Sequence, residues 1–378
     1  MSGLYEVVGG KETCRQLSEA LYARVGKDPL LRPLFPGKSL RCAIEAFAAF
    51  LAQFLDGPSE DAQQRWWLSL RESHLRFQIG HKERDAWMKN MIGALDDVPM
   101  EDSVRGGLRD FFERSSAYLV NQGQAPRPAN GCIHGEISQR WDAQRALDEA
   151  IAAIRDGDAD RALSLAGGSV LQTRFAENRA IFANFLALMI GGRDSVMLDY
   201  VGQELLRDPA LTQERGAYGR TLLHAASGAG IVATVELLLR LGADPNATNG
   251  GGHTPLYCVG NECGVAGGGS VVRALVHSGA NVNARDGVKH CTALHMAARR
   301  GNAEVAEALL DCGADIEARD SLGDTPLRRS VNCNKVEVAA LLVARGAAVL
   351  SIGSKGLTPL LAARTAAMKR TLHGRESR

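Results

Sequence analysis

Thr221-Leu-Leu-His224, Thr254-Pro-Leu-Tyr257, Thr292-Ala-Leu-His295, Thr325-Pro-Leu-Arg328 and Thr358-Pro-Leu-Leu361 begin 33, 38, 33 and 33 residues apart. A recurrence at that period marks a stacked repeat architecture, in which each unit buries its apolar face only against its neighbours. Each of the first four segments is followed by an apolar helical run and then a turn: Gly242-Ala-Asp-Pro-Asn246, Gly279-Ala-Asn-Val-Asn283, Gly313-Ala-Asp-Ile-Glu317 and Gly346-Ala-Ala-Val-Leu350. Thr at the segment start suits a helix N-cap, and Pro suits the first turn, where its missing N–H is not needed. Gly at the later turn supplies the backbone freedom that ends the second helix. The longer interval contains an insertion around Gly264 to Gly269, expected to bulge outward as a flexible loop without breaking the stack.

Residues 219–378 resemble ankyrin repeats in this pattern, and the resemblance implies a helical solenoid that docks a protein partner. In such repeats a histidine at the place of His224 and His295 usually hydrogen-bonds across the stack, so neither is read as a metal ligand or a catalytic group. The last repeat runs out into Lys369-Arg370 and Arg375 to Arg378 and is expected to fray before completing a second helix. Upstream, residues 141–218 are helical but less regular. Ala146, Leu147, Ala150, Ile151 and Ile154 keep helical spacing, which suits either degenerate repeats or a helical cap. Gln122-Gly-Gln-Ala-Pro-Arg-Pro-Ala-Asn-Gly131 is poor in large apolar groups and rich in Pro and Gly, so 122–140 reads as a linker.

Residues 1–121 carry no repeat. Ala43, Phe47, Phe50 and Phe54 line one helix face that stops at Asp56-Gly-Pro58, while Trp87, Met91 and Ala94 make a second. Val104, Leu108, Phe111 and Tyr118 make a third, and Leu17, Leu21 and Val25 mark an earlier helix carrying Tyr22 beside its stripe. The fold class is therefore all-α throughout, and these faces suit the enclosure of a flat apolar ligand. Two histidines occur here. His81 opens a charged helix start and reads as solvated, which leaves His74 as the candidate ligand for a metal centre in the pocket.

Leu4-Tyr-Glu-Val-Val-Gly-Gly10, Asp28-Pro-Leu-Leu-Arg-Pro-Leu-Phe-Pro36, Phe50-Leu-Ala-Gln-Phe54, Gly57-Pro58, His74-Leu-Arg-Phe77 and Glu83-Arg-Asp-Ala-Trp87 together resemble the second group of truncated globins, in order and spacing, over residues 4–121. That resemblance implies haem b, with iron ligated by His74, and a diatomic gas such as dioxygen as ligand. It places Tyr22 and Trp87 among the distal donors, Ala43 and Phe47 on the distal helix, and Phe35 and Phe50 beside the ring. Arg71 is a candidate partner for a haem propionate. Ala43 and Phe47 carry no hydrogen-bond donor, so the polar contact to a ligand would rest on Tyr22 and Trp87. The family's Gly-His-Pro stretch is replaced here by Arg65-Trp-Trp-Leu-Ser-Leu70, and Trp66 and Trp67 are the features that support a haem-free scaffold instead.

Composition bounds the rest. The chain of 378 residues is 45% hydrophobic and 23% charged, ordinary for globular protein of two or three folding units. With 44 basic and 43 acidic residues there is no global field for nucleic acid or an anionic membrane, and neither partner is expected. The opening MSGLYEVVGGKET lacks a basic and apolar leader, and the most apolar run, Ile181 to Ile190, is too short to span a bilayer, so a cytoplasmic protein is expected. The 8 cysteines form no C-x-x-C pair and read as free thiols. Three functions follow as expectations. The first is a haem protein that binds gas and docks a partner through its repeats, as a gas or redox sensor. The second is a haem enzyme of peroxidase or nitric oxide dioxygenase type, which would need an external reductase because the chain has no flavin or nicotinamide motif. The third is the haem-free scaffold.

Overall fold

A computed structural model describes residues 4–35, 39–55, 57, 70, 74, 77–121 and 135–373, and among them every regular element is helical. The chain divides into two compact units, 1–182 and 183–378.

In the first unit the helices are α1 (Leu4–Val8), α2 (Gly10–Val25), α3 (Arg41–Phe54), α4 (His81–Asp97), α5 (Asp102–Tyr118), α6 (Gly135–Asp156), α7 (Ala159–Ala166) and α8 (Ser169–Glu177). Helix α2 packs on α3 and α4, α4 on α5, and α5 on α6. The stripes read from the sequence form one core: Leu17, Leu21, Val25, Leu51, Phe54, Met91, Ala94, Leu108 and Phe111 are all buried. Ser18 lets α2 and α3 approach closely, its hydroxyl donating to the Ile44 carbonyl at 2.7 Å. Phe54 and Phe111 stack at 4.2 Å between centroids, closing α3 onto α5. Gly57 ends the α3 turn by donating to the Ala52 carbonyl at 2.7 Å, and a Cβ there would lie 2.6 Å from the Tyr5 ring. Two motifs more than fifty residues apart in sequence are thus one contact in space.

The boundary at 141 is displaced by this packing. Residues 135–140, placed in the linker by composition, form the first turns of α6, where Ile137 is buried. Trp141 sits edge-on to Phe111 and Tyr118 at 5.8 and 5.5 Å, so α6 shares the core of α1–α5. Residues 141–218 are therefore divided: α6–α8 belong with the first unit, and the helix Ser195–Arg207 belongs with the repeats. Residues 122–134 of the linker lie outside the described residues.

In the second unit each repeat is a pair of antiparallel helices, from Leu222–Ala229 with Val232–Arg240 through Pro326–Asn332 with Val336–Ala344. Thr254, Thr292 and Thr325 accept N–H bonds from residues three further on, as N-caps. Gly242, Gly279, Gly313 and Gly346 have φ of 88°, 94°, 85° and 101°, the left-handed region in which L side chains are strained. Side-chain amides stitch each turn to the next: Asn246 donates to the Gly279 carbonyl at 2.8 Å, and its Oδ1 accepts from Asn281 at 2.8 Å. Asn283 Oδ1 repeats this contact with Asp315 at 2.8 Å.

Two expectations are corrected here. The insertion is tied down, because Glu304 of the following repeat accepts the N–H groups of Gly267 and Gly269 at 3.2 and 3.0 Å. The last repeat does complete its pair with Ala366–His373, whose Met368 and Leu372 are buried. Apolar residues at i and i+4 make that short helix worth docking even near a chain end.

His224 and His295 bridge the stack as the repeat pattern implies. The Thr221 backbone N–H donates to His224 Nδ1 at 3.2 Å, and His224 Nε2 donates to the His253 carbonyl at 2.9 Å. His295 repeats this between Thr292 and the Asp324 carbonyl at 3.1 Å. Burial holds both imidazoles neutral, lowering the pKa of His224 to about 4 and that of His295 below its ordinary value. Above about 6.5, the unfolded pKa, this neutral pairing is complete. As the pH falls from about 6.5 toward about 4 the unfolded state takes up a proton that folded His224 refuses, so stability is lost over that window. The loss from His224 should be about 3 kcal/mol. Denaturant unfolding of wild type and His224→Gln at pH 7 and pH 4.5 should show a steeper decline in wild type; parallel declines would exclude the neutral buried imidazole.

Candidate functional site

The site lies between α2, α3, α4 and α5 in the first unit, where a cavity of about 550 Å³ is walled by Tyr22, Phe35, Ala43, Phe47, Phe50, His74, Phe77, Trp87 and Phe112 among others. That volume is in the range of small-molecule and cofactor pockets. Seven of the eight candidate site residues meet there: Tyr22, Phe35, Ala43, Phe47, Phe50, His74 and Trp87. The eighth, Arg71, lies outside the described residues, as do Trp66 and Trp67. His81, read as solvated, is exposed at the first residue of α4.

Each wall is positioned by its helix. Tyr22 follows the buried Leu21 on α2, and its ring meets Phe35 edge-on at 5.5 Å and Phe47 at 6.3 Å. Phe47 in turn faces Trp87 of α4 edge-on at 6.4 Å, and Trp87 meets Phe112 of α5 at 5.7 Å. Edge-to-face contacts of this kind hold rings apart at fixed angles, so the cavity walls are stiff. Phe35 is delivered by the turn at Asp28, whose Oδ1 accepts from Leu30 and Leu31 at 2.9 and 3.0 Å, while its Oδ2 accepts from Asn90 of α4 at 2.8 Å. The Leu31 N–H, more than the side-chain bond from Asn90, lowers the pKa of Asp28 below the usual carboxylate value.

His74 is held by its own backbone neighbourhood. Its Nδ1 donates to the Leu70 carbonyl at 2.8 Å, and its ring lies 6.1 Å from that of Phe77. A carbonyl can only accept, so Nδ1 carries a proton, and the ring, where neutral, then has its lone pair on Nε2, the state an imidazole needs to ligate a metal. Part of the cavity wall is polar. Arg84, Ser115 and Ser116 line it, and Arg84 is braced by Glu113 at 2.6 Å and by the Ser116 hydroxyl at 3.2 Å. Burial opposes the Arg84 charge, but Asp85 and Glu113 outweigh it and raise its pKa.

Sequence reading passed over Phe112, Phe77 and this polar wall as parts of the pocket. Phe112 was within reach: it lies four residues after Leu108 on the stripe that was assigned to Phe111, and α5 buries both rings. Arg84 carries no periodic signal, since its role comes from a partner 29 residues away.

Residues 3–118 match the family model of the bacterial-like globins, and residues 198–286 and 262–353 match that of the ankyrin repeats in three copies. The chain is 36% identical over 121 residues to the group 2 truncated hemoglobin YjbI of Bacillus subtilis, covering 32% of this chain and 90% of that protein. It is 27% identical over 144 residues to two-on-two hemoglobin-3 of Arabidopsis thaliana, 35% of this chain and 82% of that one. It is 34% identical over 108 residues to ankyrin repeat and SOCS box protein 16 of Mus musculus, 29% of this chain but only 24% of that one. The chain thus belongs to the truncated globins through its N-terminal domain, which is joined to a C-terminal set of ankyrin repeats.

The globin family implies haem, and the residues present fit it. A porphyrin is a broad apolar disc with acidic edges whose iron takes one protein nitrogen. The cavity offers aromatic walls, a charged Arg84 in its lining, and an imidazole held through Nδ1. Ala43 is one of the small residues on the α3 wall. Ala43→Trp should weaken uptake of added haem about tenfold or more, since overpacking by a ring is worth about 1–3 kcal/mol. Titration with haem, followed by absorbance, checks this; undiminished uptake would place the disc elsewhere.

Proposed function

We propose that this protein binds a diatomic gas at a haem b whose iron is ligated by His74, and that its ankyrin repeats dock a protein partner in the cytoplasm as the output of a gas or redox sensor. The observation that carries this reading is the His74 Nδ1 bond to the Leu70 carbonyl at 2.8 Å, on the wall of a cavity that also holds Tyr22 and Trp87. Haem held by His74 and these walls would supply an iron centre able to take a small ligand.

The chain's residues do the rest. Tyr22 and Trp87 are the donors that tune affinity, because Ala43, Phe47 and Phe50 offer none. The aromatic walls exclude water and strengthen those donors' electrostatic effect. Partner docking is supported by the exposed apolar side chains of Tyr218, Val288 and Leu322 at turns of the repeat stack, 62%, 70% and 61% accessible. Single exposed apolar residues are ordinary, but a recurrence at repeat spacing is the pattern of a binding edge. No helix among the described residues is long and apolar enough to cross a membrane.

Visible spectra of the ferric, reduced and CO-bound protein test the haem site. A Soret band that shifts with CO in wild type and is weakened or altered in His74→Ala is the expected result; a colourless chain that refuses haem would leave the scaffold reading. Tyr22→Phe should speed dissociation of dioxygen about tenfold, the worth of one hydrogen bond, measured by stopped-flow displacement. Sensing requires coupling, so the reduced protein and its CO adduct should differ in affinity for the partner; equal affinities would remove the sensor role while leaving gas binding intact.

A further inference from the structure

Helix α6 lies outside the segment that matches the globins, yet it reaches the residue on which His74 depends. The Leu70 N–H donates to Asp148 Oδ1 at 3.0 Å, and the Leu70 carbonyl accepts from His74 Nδ1 at 2.8 Å. Both Leu70 and Asp148 are buried. One turn earlier on α6, Gln144 Nε2 donates to the same Oδ1 at 2.9 Å and braces the carboxylate. A carboxylate in an apolar core is retained only where donors compensate its lost hydration, and the Leu70 N–H and the Gln144 amide are two such donors.

We propose that Asp148 is a positioning residue for His74, acting through Leu70, and that α6 thereby brings the post-globin segment into the support of the metal ligand. The proposal rests on the haem reading above. The N–H and carbonyl of Leu70 belong to successive peptide planes joined at one Cα, so holding the first limits the swing of the second. The group that accepts a ligating histidine's other N–H sets the ring's orientation and alters affinity or activity about 10–100-fold when removed, and here that group is the Leu70 carbonyl, which Asp148 holds in place. The same helix also grips the other wall: Arg140 donates to the Phe54 carbonyl at 3.3 Å, at the end of the α3 helix that carries Ala43, Phe47 and Phe50.

The test uses the full chain reconstituted with haem. In Asp148→Ala the iron–histidine stretching band of the reduced protein should shift and broaden, and CO association should change about tenfold. Gln144→Ala, a milder variant that keeps the carboxylate, should shift the band in the same direction by less. Arg140→Ala removes a different contact of α6 and should leave the band in place while lowering the melting temperature. Hydrogen exchange at the Leu70 amide, read by NMR without haem, should quicken about tenfold in Asp148→Ala. A wild-type band in both Asp148→Ala and Gln144→Ala would overturn the proposal. If the wild type takes no haem, or its band survives His74→Ala, the haem reading fails instead. Leu70 exchange then decides whether Asp148 supports the His74 neighbourhood at all: quickened exchange upholds that support, and unchanged exchange overturns it.

Discussion

The bond from His74 Nδ1 to the Leu70 carbonyl fixes the ring against its own backbone, and much of the first unit serves to hold that arrangement beside a wide aromatic cavity. An apolar cavity persists only if its walls cannot collapse onto one another. The edge-on chain from Tyr22 through Phe47 and Trp87 to Phe112 does this across four helices, and the stacked Phe54 and Phe111 tie α3 to α5. Their packing gives the cavity its shape, and shape determines what His74, Tyr22 and Trp87 can meet.

The two units use histidine in opposite ways. In the repeats both nitrogens of His224 and His295 are spent on neighbours and burial keeps the ring neutral, so the side chain is a spacer of fixed polarity between repeats. In the globin unit the ring of His74 is held to its own backbone through Nδ1 and lines a cavity. Residue type alone does not separate these cases. Context does, as a Thr three residues before the ring signals the cap, and an aromatic stripe on the facing helix signals the pocket.

Much of this was legible in the chain because local physics writes it there. The 33-residue recurrence gives the repeats, the left-handed glycines close their turns, and the helical stripes of Phe47, Phe50 and Phe54 mark a face that must be covered. The site residues were legible as a set, since their spacing follows a familiar order, although their being together is a tertiary fact. What stayed illegible has long-range causes. Asp148 sits 78 residues from Leu70, and nothing near either one announces the other. The insertion after Cys263 reads as loose from its glycines, and only Glu304, contributed by the next repeat, ties it down. The end of the stack reads as frayed from its basic tail, while Met368 and Leu372, four apart, are enough to seat a final helix.

The turn-to-turn stitching by Asn246 and Asn283 has a consequence for how such a chain can change over generations. Each turn asks of its successor only a backbone carbonyl and an N–H group, which every turn of this shape presents. A whole unit copied in or deleted between them meets the same request on both sides. Duplication can thus lengthen or shorten the array without redesigning any junction, and the surface offered to partners can diversify while the globin at the other end of the chain is left untouched.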